Sequence, residues 1–219
     1  MKNETDFLRI GVFYDGTHFV KAQNYFYGKA YGWLSFQEMH RLFENFTRLK
    51  IPNFGSYKVV YSAWFQGLFK ESDAQEKNLR LDRKRHHDLL HAGIEPKNVP
   101  MSESKSGDAL TKHEKGIDVY MAVETLQTGL DKKIDVAILV TGDGDFVPLV
   151  RTLMKNGIRV IIAYFDYEEP EKNHKSFANE RLLNSSNYSI NINELESNKE
   201  FKAEFKGLFR KGEDFDRQK

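Results

Sequence analysis

The chain has 219 residues, 33 Lys and Arg against 32 Asp and Glu, and a net charge of +1, so no global basic field draws it to nucleic acid or an acidic membrane. It has no cysteine, which excludes disulfides, thiolate metal sites and cysteine nucleophiles and fits a reducing compartment. The opening MKNETDFLRI is too charged for a signal peptide and no segment has the length of a membrane span, so the expectation is a cytoplasmic protein that does not engage a membrane.

LRIGVFYD predicts a first strand over about residues 8 to 15, ending on Asp15-Gly16. An aromatic-rich connection follows, QNYFYGKAYGWLSF. A helix is predicted from Ser35, a plausible cap, because Phe36, Met39, Leu42, Phe43 and Phe46 recur at helical spacing. YKVVYSAWF reads as a second strand, Ser72 to His91 as a charged helix stopped at Gly93, and IEPKNVPM as a short extended piece. ESKSGDALTKH is polar and loop-like. A further helix is expected from near Lys112 to Gly129. Then AILV, apolar throughout as a buried parallel strand is, runs into Asp143 and Asp145 with Gly142 and Gly144 beside them. The helix FVPLVRTLM, the strand GIRVIIAYF, a helical run around Phe177 to Leu183 and a late edge strand YSINI complete the order.

Alternating strands and helices predict an α/β fold, a central, mostly parallel sheet with helices on both faces. Residues 1–192 form the expected domain. Residues 193–219 form a C-terminal helix and charged tail, with Leu195, Phe201, Phe205, Leu208 and Phe209 on one stripe that reads as core or as a homodimer contact.

In open α/β sheets, ligands bind beyond the carboxyl ends of the strands, which is where Asp15, Asp143 and Asp145 fall. Asp118 in KGIDVYMA is the fourth candidate. Each has an ordinary reading: Asp15 as a turn, Asp145 as the cap of the next helix, Asp118 as a solvated helix residue. Together they form a cluster of like charge that favours a bound cation. Mg²⁺ suits such a set, since it takes oxygen ligands and keeps several waters. Thr141 and Thr17, each near an acid, are supporting candidates for holding a bound water or a phosphate oxygen.

FYDGTHF, KGIDVYMAVETL and ILVTGDGDFVPLVRTLMKNGIRVIIAYF resemble the NYN domain, in the LabA-like branch of the PIN-fold nucleases. The resemblance covers about residues 8 to 165. It implies a three-layer PIN-like, Rossmannoid sheet, Mg²⁺ or Mn²⁺ bound by Asp15, Asp118, Asp143 and Asp145 as metal-binding and catalytic residues, and hydrolysis of phosphodiester bonds in RNA. The family pattern commonly has asparagine three residues after the first aspartate; this chain has His18 there.

Other features are weaker. Arg80, Arg83, Lys84 and Arg85, with His86 and His87, make a basic helix face suited to an RNA backbone, though a charge run is usually a soluble face. His87 and His91, four apart, lack an evident third ligand and read as a helix face rather than a metal site. Tyr25, Phe26, Tyr27, Tyr31 and Trp33 read as packing before base stacking. Two alternative functions remain open: a non-catalytic RNA- or protein-binding regulator, and a Mn²⁺-dependent nucleotide-sugar transferase using Asp143-Gly144-Asp145 as a DxD loop. No dinucleotide fingerprint or P-loop is present.

Overall fold

The computed structural model describes residues 7–68, 76–100, 102–106, 109–113, 116–172 and 174–211. In chain order the elements are β1 (Phe7–Asp15), α1 (Gly16–Gly28), β2 (Trp33–Leu34), α2 (Phe36–Lys50), β3 (Ser56–Leu68), α3 (Glu76–His91), β4 (Glu95–Pro100), β5 (Ser102–Ser106), β6 (Ala109–His113) and α4 (Ile117–Leu130). There follow β7 (Val136–Val140), α5 (Val147–Lys155), β8 (Arg159–Tyr164), β9 (Tyr167–Glu169), β10 (His174–Ser176), α6 (Glu180–Ser185), β11 (Tyr188–Asn191), α7 (Lys202–Gly207) and β12 (Phe209–Arg210).

The main sheet has six strands in the order β11-β8-β7-β1-β3-β4, and all five pairings are parallel. From β1 the chain winds outward to β3 and β4, then returns to the other side for β7, β8 and β11. The winding therefore reverses between β1 and β7, and that reversal opens a crevice at their carboxyl ends. Every residue of β7 is buried, as a strand covered on both faces requires. Leu8, Ile10, Val12 and Tyr14 pack on one side of the sheet with α1, α2 and the C-terminal segment. Phe13 points to the other side, where it joins Met121 of α4 and Leu149 and Leu153 of α5. The result is the expected three-layer α/β architecture with a parallel central sheet.

α2 follows its sequence pattern: Ser35 accepts from the amide of Glu38, and Phe36, Met39, Leu42, Phe43 and Phe46 are buried. At the opposite ends of β1 and β7 the Arg9 guanidinium grips Asp135, with Nε donating to Oδ2 at 3.0 Å and Nη2 to Oδ1 at 2.8 Å. That pair fixes the register of two strands whose partners lie 126 residues apart.

Four expectations need correction. The first part of the aromatic connection, residues 23–28, belongs to a helix, α1, because Asp15 caps it through the amide of His18 and Phe19, Ala22, Gln23 and Phe26 form its buried face. The polar segment expected as a loop contains an antiparallel hairpin, β5 with β6, in which Ser102 pairs with His113 and Ser106 with Ala109. α4 starts at Ile117 rather than near Lys112. The C-terminal stripe is not one helix: it is a turn at Asn193–Glu196, the short α7, and β12 paired with β2. Leu195, Phe201, Phe205 and Leu208 are buried in the chain's own core, so the stripe is core rather than an open contact face. The predicted start of α3 at Ser72 lies outside the described residues.

Candidate functional site

The last residue of β1 and the first residue after β7 meet at the crevice. Tyr14 pairs with Val140, which places Asp15 next to Thr141. The buried Thr141 hydroxyl donates to Asp15 Oδ2 at 3.1 Å and accepts from the amide of Asp143 at 3.2 Å. Asp15 Oδ1 accepts from the amide of His18 at 3.0 Å, so the same carboxylate caps α1. A single aspartate is thereby held by the start of a helix on one side and by the neighbouring strand on the other.

Beyond Thr141 the chain turns through Gly142 and Gly144. Asp143 accepts through Oδ1 from the amide of Asp145 at 2.9 Å, which starts the helical turn Gly144–Phe146, and both carboxylates are exposed. The cap is therefore Asp143, not Asp145. Gly144 is close to the side chain of Asn179: a Cβ added there would lie 2.7 Å from the Asn179 amide. The backbone N–H of Asn179 donates to the carbonyl of Gly142 at 2.9 Å. Asp166, just past β8, supports this from behind by accepting from the amide of Ala178 at 2.9 Å. Asn179 and Asp166 went unnoticed in the sequence. The signal for Asp166 was present, since it follows the apolar run of β8 as Asp15 follows β1.

Burial pushes the Asp15 carboxyl above its ordinary range, and the charge of Asp143 adds to that. Hydrogen bonds from the His18 amide, the Thr141 hydroxyl and the Thr17 amide oppose it. Thr17 thus helps through its backbone. His18 lies against Phe165, ring centres 5.5 Å apart, and its Nε2 is buried without a hydrogen-bond partner among the described residues. Burial, with the charge of Lys21 adding to it and that of Asp143 opposing, lowers the imidazole to about 4, so it is neutral at neutral pH.

Asp118 occupies the exposed first turn of α4. α4 crosses back from the β4 side to β7, so its N-terminal end lies at the carboxyl edge of the sheet. Contact between Tyr120 and Phe65, the β3 partner of Asp15, fixes that position. Asp15 and Asp143 are brought together at the crevice through Thr141, Asp145 follows in the same loop, and Asp118 stands at the same edge.

Among the described residues no Lys or Arg pairs with Asp15, Asp143 or Asp145. Among the same described residues, no group of three or more His, Asp or Glu side chains is gathered tightly enough to hold an ion by itself. The donor set fits a hard divalent cation bound openly, by two carboxylates and several waters, rather than a closed cage.

The basic residues of α3 divide. Arg80, Arg83 and Lys84 are exposed, whereas Arg85 is half-buried and donates to Gln66 at 3.1 Å and to Asp82 at 3.0 Å. His87 and His91 face each other with Nε2 atoms 3.1 Å apart on the exposed helix surface. Most of the aromatic cluster is packing, as the sequence suggested: Phe26 is core, Tyr25 stacks on Tyr167 at 4.1 Å, and Tyr31 packs on Phe205 and Phe209. No described helix is long and apolar enough to cross a membrane.

A crystal structure of a protein of unknown function from Vibrio parahaemolyticus RIMD 2210633 shares the fold, with a TM-score of 0.53 and 17% identity over 88% of this chain and 96% of that one. No curated protein matches. The family model for the NYN domain matches residues 9–193, a span that runs from β1 to just past β11 and takes in both strands of the crevice and all four candidate acids. A PIN-like, nuclease-type domain is what such a match implies, and the chain belongs to the NYN domain family.

Proposed function

We propose that this protein is a metal-dependent ribonuclease that hydrolyses RNA phosphodiester bonds at the crevice between β1 and β7. The observation that carries the reading is the Asp15–Thr141–Asp143 chain of hydrogen bonds, which ties the Asp15 carboxylate to the backbone of Asp143 at the start of the acidic loop, both acids having no basic partner among the described residues. Asp15 and Asp143 would hold Mg²⁺ or Mn²⁺, with Asp145 and Asp118 as further acids at the edge. When bound, the ion supplies an oriented hydroxide and neutralises charge in an in-line displacement at phosphorus. Thr141 keeps Asp15 in one rotamer, and Asn179 holds the acidic loop against its neighbours. RNA is the expected partner and a reducing, cytoplasmic setting suits a cysteine-free chain.

The DxD alternative is weakened by the loop geometry. Thr141 ties Asp15 to the same loop, and a DxD loop has no use for that further acid. The regulator reading has one observation in its favour, the lack of a three-ligand cluster among the described residues.

Purified protein on labelled RNAs with Mg²⁺, Mn²⁺ or EDTA tests the proposal. Metal-dependent cleavage that disappears in Asp143→Asn, with an unchanged fold by circular dichroism, is the expected result. Binding without cleavage by the wild type, across both metals and varied RNAs, overturns it in favour of the regulator.

A further inference from the structure

On the α1 side of the sheet a groove of about 320 Å³ opens between α1 and α3. That volume is at the lower end for small-ligand sites. Phe19, Phe36 and Trp64 form an apolar floor, and Trp33 forms a wall. Lys84, Arg85, Arg210 and Lys211 surround it, against one acid, Asp88. Arg85 is engaged with Asp82, but among the described residues Lys84, Arg210 and Lys211 have no carboxylate partner. The Lys84 ammonium rests 5.6 Å from the centre of the Trp33 ring.

This combination selects a class of ligand. A free phosphate has no use for the apolar floor, and a purely apolar ligand has none for the cations. A nucleotide uses both, its base on the aromatic wall and floor and its phosphate on the rim. The groove is also placed relative to the acidic crevice. Trp64, part of its floor, lies directly against Gly16, where an added Cβ would come within 2.8 Å of the indole. Along α1 the lining residues run from Phe19 to Asn24, which puts the groove roughly 6–14 Å along the helix from Asp15.

We propose that this groove binds one nucleotide of a single-stranded RNA whose backbone continues to the acidic crevice. Its role in cleavage rests on the ribonuclease reading; its binding of RNA does not. A single strand is required because a base held in a duplex cannot turn out into the groove. Lys84 moves from the Trp33 face to the phosphate as the base takes its place.

The test is fluorescence anisotropy in EDTA with a short fluorescein-labelled single-stranded RNA and its duplex. Lys84→Glu with Arg210→Glu is expected to weaken single-strand binding at least about tenfold and to reduce the slope of log affinity against log salt by on the order of 1.4. Lys50→Glu with Lys155→Glu, two exposed lysines away from the groove, matches the charge change and is expected to leave the slope nearly as in the wild type. Trp33→Leu is expected to weaken binding on the order of tenfold at an unchanged slope, and Trp33→Phe to restore most of it. Thermal melts establish that each variant is folded, and the surface charge pair decides the question if Trp33→Leu is not. Single-strand binding by the Lys84/Arg210 variant as tight as that of the Lys50/Lys155 control, duplex binding as tight as single-strand binding, or no RNA binding by the wild type overturns the proposal. Groove-dependent binding without cleavage in Mn²⁺ would sink the ribonuclease reading alone. Cleavage abolished by Asp143→Asn but indifferent to the groove variants would sink the groove alone.

Discussion

The hydroxyl of Thr141 donates to Asp15 Oδ2 across 126 residues of sequence, at 3.1 Å. Because the same oxygen accepts from the backbone amide of Asp143, one buried hydroxyl ties the Asp15 carboxylate to the start of the acidic loop. Thr141→Val keeps the shape and removes both bonds. The expected loss is about 1–2 kcal/mol of stability, read as a lower urea midpoint at unchanged slope, together with a further rise in the Asp15 carboxyl titration followed by NMR. An unchanged midpoint and titration would mean the hydroxyl is incidental.

Asp15 is held in a place where its own charge is unwelcome. Replacement by Asn leaves an oxygen to cap α1 and removes the charge, so the metal-free Asp15→Asn protein is expected to be more stable than the wild type by about 0.5–2 kcal/mol, a trade of function for stability. Millimolar Mn²⁺ should then raise the melting temperature of the wild type and not that of the variant. A metal-free variant that melts below the wild type goes against this account.

Gly16 has no room for a methyl group. A Cβ there would lie 2.8 Å from the backbone oxygen of Phe65 and from the Trp64 ring, and the backbone cannot give way as a flexible side chain could. Gly16→Ala is therefore expected to lose about 1–3 kcal/mol by overpacking and to displace the cap at Asp15. Denaturation by urea measures the first effect. Wild-type stability in this variant would show that α1 can shift without consequence.

Two histidines set an acid limit. His18 and His40 are lowered from 6.5 to about 4 by burial, with Lys21 adding at His18 and nearby carboxylates opposing at both. The unfolded chain therefore binds more protons than the folded one between those values, and stability falls as pH drops from 6.5 toward 4. The loss is at most about 3 kcal/mol per histidine. His40→Gln should flatten the dependence over this window in urea titrations. A variant curve as steep as that of the wild type would remove His40 from the explanation.

The sheet and most of its helices were legible because apolar runs such as VAILV and periodic stretches such as Phe36 to Phe46 are governed by local pattern. α1 was not, because Tyr25 and Tyr27 break its amphipathic pattern and their packing partners, Tyr167 and Trp33, come from elsewhere. The hairpin β5–β6 is polar apart from the adjacent Ala109 and Leu110, which left no alternation to read. At the site, Asp15 and Asp143 were visible as acids after buried strands. The Thr141 bond to Asp15 was not, since it depends on β1 and β7 being neighbours. The groove was hidden for the same reason: its walls come from residues near 20, 84 and 210.

The central position of β1 has a consequence during synthesis. This strand emerges early, yet one of its two neighbours, β7, ends 125 residues after Asp15, so at ribosomal speed roughly 6–25 s separate the two. Throughout that interval Leu8, Ile10, Val12 and Phe13 belong to a sheet open on one side, with an unpaired edge that other chains can join. Folding dominated by such distant pairings is slow in general. The crevice inherits this order of events: Asp15 is made long before Asp143, and the two meet only when the middle of the sheet is closed.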